Sequence, residues 1–133
     1  MLKALAKLTG WNAGKGLRDA FATIGENFQL LEPSVRATGA ASATLKAEDR
    51  VISRTSAAAQ TIGVPTNASV AIDIGQSFLV EQTGAGQLTI QPAAGVTVNR
   101  LAGRSLVAAG QFAMIRLTKI GTNVWNATGD LGA

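Results

Sequence analysis

From Ser42 onward the chain is written in short polar/apolar alternations cut by Gly, Asn and Pro, and this pattern most constrains its fold. A period of two buries one face of a strand and leaves the other wet. In "QLTIQ", Leu88 and Ile90 share one face while Gln87, Thr89 and Gln91 share the other. In "VTVN", Val96 and Val98 repeat the arrangement. An Ala-Gly pair precedes each string, and Gly84, Gly86 and Gly95 are placed to supply the positive φ of tight hairpin turns. The same reading predicts strands at "DRVISR", "QTIGV", "SVAIDI", "SFLVEQ", "QLTIQ", "VTVN", "QFAMIRLTK" and "NVWNAT". Many short strands with frequent turns predict a mainly β chain, with a small antiparallel β-sandwich or jelly-roll-like domain over residues 45–133. "FAMIRLTKI" stands apart. Phe112, Met114, Ile115, Leu117 and Ile120 put apolar groups on both faces, as a central strand or a subunit contact requires.

Residues 1–33 read as a helical arm. In "GLRDAFATIGENFQLLEPS" the large apolar residues Leu17, Phe21, Ile24, Phe28 and Leu31 form a heptad seam. Pro33 closes the helix, because the residue before a proline is pushed out of the α region. Gly25 within it costs about 1 kcal/mol relative to Ala. So short a seam is marginal alone in water, so it must rest on its own strands, on symmetry mates or on a larger assembly. Upstream, Leu2, Leu5 and Leu8 lie close together on a short helix with Lys3 and Lys7, followed by Trp11, Lys15 and three glycines. This arm is expected to pack on protein, with Trp11 as anchor and the lysines facing an acidic surface. Two lysines on the helix are too few for a membrane-surface assignment. Residues 34–44, "SVRATGAASAT", are small and polar and are expected to be a linker.

Composition narrows the chemistry. The chain has 133 residues, no Cys and no His. Disulfides and thiolate metal sites are excluded, as are the usual general base and the commonest nitrogen ligand. Aromatics are 5% with no Tyr, so core volume must come from Val, Ile, Leu and Ala. A net charge of +4 does not by itself imply nucleic acid, and no apolar run reaches membrane-spanning length. "MLKALAKLTGW" begins like a signal peptide but lacks a long apolar core and a cleavage site, so a soluble protein made inside the cell is expected. The "GAG" of residues 84–86 precedes a strand and lacks the following Lys-Ser/Thr of a phosphate loop. Glu48 and Asp49 read as a solvated loop, Asp73 as a turn or surface acid, and Asp130 has no evident partner. No nucleophile–base pair or acid dyad emerges, so no enzyme, no cofactor and no metal are expected. Arg100, Arg104, Arg116 and Lys119 make the last third basic, which reads as a solvated surface with subunit-interface pairs.

Two segments resemble bacteriophage virion proteins. "GLRDAFATIGENFQLLE" is similar to an "LR-x-AF-x-K-I-N-x-NF" segment near the start of many phage tail, fibre and appendage proteins. Leu17, Arg18, Ala20, Phe21, Ile24, Asn27 and Phe28 match it, and Thr23 and Gly25 depart from it. The body resembles a glycine-rich β domain of phage fibre and decoration proteins through "P-x-NASVA", "Q-x-GAGQ-x-TI", "GVTV", "AAGQFA", "KIGTNVW" and "GDL". The resemblance implies a non-enzymatic virion structural protein, commonly a homotrimer. The tail-type helix motif favours a short trimeric tail-associated fibre or adaptor. A capsid cement or head-fibre protein is the alternative, followed by a module that recognises a host glycan through loops at Gly84–Gly86 and Gly95. The expected partners are further copies of the chain and other virion proteins of tail or capsid, with the host surface as a further candidate and no nucleic acid or membrane. The seam Leu17, Phe21, Ile24, Phe28, Leu31 would oligomerise the chain. Leu2, Lys3, Leu5, Lys7, Leu8 and Trp11 would dock it.

Overall fold

The computed structural model describes residues 34–133, which contain strands and turns and no helix. The expected helical arm, with its seam and docking residues, lies outside the described residues. Nine strands form two sheets. They are β1 (Val35–Thr38), β2 (Ser42–Thr44), β3 (Val51–Arg54), β4 (Gln60–Val64), β5 (Ser77–Gln82), β6 (Leu88–Pro92), β7 (Thr97–Asn99), β8 (Met114–Gly121) and β9 (Val124–Gly129). The first sheet has the order β1-β3-β5-β8-β9-β7 and the second β2-β4-β6.

The first six strands alternate between the sheets, and β1 to β4 each pair in parallel with the strand two places on. Val35 aligns with Val51, and Val51 with Leu79, in the first sheet. Ser42 aligns with Thr61, and Gln60 with Leu88, in the second. The backbone therefore winds three times in one sense, each coil laying one strand in each sheet, as in β-helical proteins. The chain then reverses. β8 runs antiparallel to both β5 and β9, with a register shift between Lys119 and Gly121, and β7 lies parallel to β9. Thr89 bridges Val107, so residues around 107 cover the outer edge of β6.

The mainly β expectation holds, whereas the expected antiparallel pairing does not. Five of the seven strand pairings are parallel. Residues 34–44, expected as a linker, carry β1 and β2 and form the first coil. "SVAIDI" forms no strand. It belongs to an insertion, residues 65–76, between β4 and β5. There Ile72 reaches the core and Asp73 stays exposed, its carbonyl accepting the Gln76 N–H.

Both sheets feed one core. Ile52, Phe78, Val80, Ile115 and Leu117 enter from the first sheet and Ile62, Val64, Leu88 and Ile90 from the second. Trp125 on β9 closes against Phe78, with ring centroids 5.8 Å apart. The period-two reading of "QLTIQ" is met in full, since Leu88 and Ile90 are buried and Gln91 is exposed. β8 lies between two strands and has apolar groups on both faces as expected, with Ile115 and Leu117 inward and Met114 and Ile120 outward.

Candidate interaction surface

The turns joining β3 to β4 and β5 to β6 stack directly. Gly84 N–H donates to the Arg54 carbonyl and Gly86 N–H to the Ser56 carbonyl, both at 3.0 Å. A Cβ at Gly84 would overlap the Ser56 carbonyl, and one at Gly86 the Ala58 carbonyl. Neither glycine has positive φ, which corrects the hairpin expectation for them. They are glycines because two backbones meet there. Gly95, at φ 84°, is the turn glycine of the expected kind.

Long polar side chains bind the same corner from within. Arg54 is fully buried, and its guanidinium donates to the carbonyls of Thr38, Ala40 and Thr61. It thereby ties the first coil to the second. Burial, then the charge of Arg36, pushes its pKa below the ordinary arginine value. Gln60 ties the second coil to the third through a 2.9 Å bond to the Gly86 carbonyl. Gln82 accepts the Leu88 N–H at 2.9 Å. On the first coil Arg36 forks onto Asp49, with Nε and Nη2 at 2.8 and 2.7 Å from its two oxygens. That hydrogen bonding raises the Arg36 pKa above its ordinary value. Asp49, read as solvated from sequence, is buried and also accepts the Lys46 N–H.

The outward face of the first sheet carries an apolar row. Val35, Val51 and Leu79 stand in register on three parallel strands, with Arg116 continuing the row on β8. Val35 is exposed and the next two are half-buried. Met114 and the exposed Phe112 lie toward one end of β8. Phe112 has φ 67°, unusual for a bulky residue, and its N–H is held by the Gln82 carbonyl. Of the basic residues expected at the surface, Arg100, Arg104 and Arg116 are exposed. Lys119 is not. It is buried and donates to Asn67 Oδ1 and the Ile72 carbonyl, both at 2.6 Å. Asp130 has a partner after all, the Met114 N–H.

The outward face of the second sheet is different in kind. Ser42, Thr61 and Thr89 stand in one register row, and Thr44, Gly63 and Gln91 in the next. Residues 65–70 and 92–94 rise beside this face and leave a groove of about 550 Å³. No group of His, Cys, Asp and Glu capable of holding a metal occurs among the described residues.

Neither the family models, the curated proteins nor the solved structures contain a match to this chain.

Proposed function

We propose that the chain is a non-enzymatic structural component of a bacteriophage virion, a short trimeric tail-associated fibre or adaptor. The observation that carries this reading is the stacked corner. The glycines of "Q-x-GAGQ-x-TI", a segment on which the resemblance rests, are those at which successive coils touch backbone to backbone. The recurring motif thus has a mechanical role, the building of a stiff coiled body. The apolar row Val35–Val51–Leu79 supplies a face on which such a body can meet a neighbour. In this reading the Leu17–Leu31 seam gathers three chains, and the arm from Leu2 to Trp11 attaches them to the particle.

Antibody labelling of intact virions tests the placement. Label at the tail is expected, and label over the whole head would replace the tail assignment with the capsid-decoration alternative. Sedimentation of the full chain tests the assembly. A trimer is expected, reduced to monomer or aggregate by the double substitution Phe21→Ala/Phe28→Ala. A double variant that remains trimeric with unchanged melting removes the seam from the proposal.

A further inference from the structure

We propose that the groove on the outward face of the second sheet is a binding site for a neutral carbohydrate. The groove is built by the parallel register. Gly63 lies in the middle strand between Thr44 and Gln91, so a position that would otherwise project a side chain outward is bare. It forms the floor. Thr44 and Ser42 on β2 make one wall, and Gln91 with Pro92 on β6 the other. Residues 65–70 close one end, and the bond from Ala93 N–H to the Val64 carbonyl holds the 92–94 turn beside them.

Three features select the ligand. The first is charge. The lining contains no Asp, Glu, Lys or Arg, so a phosphate, a carboxylate or a metal ion has no side-chain partner there. The second is unused hydrogen-bonding capacity. Among the described residues, the hydroxyls of Ser42, Thr44, Thr61 and Ser69 and the amide of Gln91 make no bond to another protein group. Each hydroxyl can both donate and accept, as can the amide, which matches ligand hydroxyls that do the same. Neighbouring strands space these groups about 4.8 Å apart, close to the separation of equatorial hydroxyls on alternate carbons of a sugar ring. The third is the mixture of surfaces. Val70, Pro92 and Ala93 offer small apolar faces for the C–H side of a ring. A volume of about 550 Å³ lies within the usual range for small-ligand sites and holds one to two sugar units. With no aromatic platform, binding is expected in the millimolar range. The inference rests on the groove alone and stands or falls independently of the virion proposal. It also moves any sugar recognition away from Gly84–Gly86, where the stacked turns occupy the space.

The test is heteronuclear NMR of the full chain, titrated with neutral oligosaccharides of glucose, mannose, galactose, rhamnose and N-acetylglucosamine at up to about 20 mM, well above a 1 mM dissociation constant. Sialyllactose serves as the charged comparison. At least one neutral sugar should shift the amides of Thr44, Thr61, Gly63 and Gln91, and sialyllactose should not. Gly63→Val fills the floor. Its Cβ would stand 3.2 Å from Thr44 Oγ1, the end of an exposed side chain that can turn away, so the fold should persist and the remaining amides stay in place. This variant should weaken binding at least tenfold. Gln91→Ala, on an exposed residue, should weaken it severalfold. The inference is overturned if no neutral sugar shifts these amides, if sialyllactose binds there equally well, or if a folded Gly63→Val variant binds like the parent.

Discussion

Gly86 lies so close to Ala58 on the preceding coil that a Cβ at position 86 would overlap the Ala58 carbonyl. The obstacle is backbone on both sides, and the Gly86 N–H is already bonded to Ser56 in the same turn. Neither partner can swing away as a side-chain tip can. Gly86→Ala should therefore cost about 2–3 kcal/mol of stability, in the manner of an overpacked core. Gly110→Ala is the control. A Cβ there meets nothing within 4 Å and φ is not positive, so stability should stay equal or rise by under about 1 kcal/mol. Urea midpoints of the two variants compare them directly. Equal midpoints would mean that the coils do not stack through this turn.

The strands were legible because burial follows alternation. "QTIGV" and "SFLVEQ" mark β4 and β5 end to end. Their direction was not legible, because period two looks the same in parallel and antiparallel sheets. No fixed repeat betrays the coil either, since residues 65–76 lengthen the step from Val51 to Leu79 well beyond that from Val35 to Val51. "SVAIDI" alternates like a strand but only dips Ile72 into the core. The polar corner was hidden for a related reason. Arg54 and Lys119 carry charges that normally read as surface, and the carbonyls that accept from them lie on strands and loops brought together only by the tertiary fold. The groove depends on the same register. Gly63 is a floor only once Thr44 and Gln91 are known to flank it.

Arg54 adds a side-chain tie between the first and second coils to their strand pairing. Arg54→Met keeps most of the buried volume but removes the bonds to the Thr38, Ala40 and Thr61 carbonyls. Losing the cost of burying the charge offsets part of this, and a net loss of about 2 kcal/mol is expected. The loss should be localised. Amide exchange over residues 35–44 should accelerate before that of β5 or β8. Uniform acceleration would show that Arg54 acts as core filling rather than as a tie to the first coil.

Arg36 and Asp49 form a two-point acid–base fork. Arg36→Ala leaves the buried carboxylate with the Lys46 N–H alone, and a cost of about 3 kcal/mol is expected. Arg36→Ala/Asp49→Ala should be less destabilised than the sum of the single variants, as a double-mutant cycle would measure. The pH dependence follows from the raised Arg36 pKa. A raised folded-state value gives stability that is fully present below the ordinary arginine pKa and lost only as pH rises through the higher one. The difference between wild type and Arg36→Ala should thus show no arginine titration between about pH 6 and 9. A decline centred in that window would show that another group controls the pair.

Lys119 fixes the insertion to the body. It leaves the inward face of β8, where Ile115 and Leu117 precede it, and its ammonium group bonds Asn67 Oδ1 and the Ile72 carbonyl. The backbone adds two further links, Gly75 N–H to the Lys119 carbonyl and Lys119 N–H to the Gln76 carbonyl. Asn123 holds the near end through the Asn67 N–H at 2.8 Å. Lys119→Met preserves length and apolar stem while removing the charge and its donors. The Ile72 carbonyl and Asn67 amide oxygen then lose a charged donor, at about 1–3 kcal/mol. Because backbone bonds and Asn123 remain, the insertion should loosen rather than detach. Exchange of amides in residues 66–74 should accelerate about tenfold or more, while β4 and β6 keep their protection. The same variant reads out on the groove, one end of which is made of residues 65–70. Any sugar that binds there should bind more weakly to Lys119→Met, and unchanged exchange in residues 66–74 would show that Lys119 is not what positions that wall.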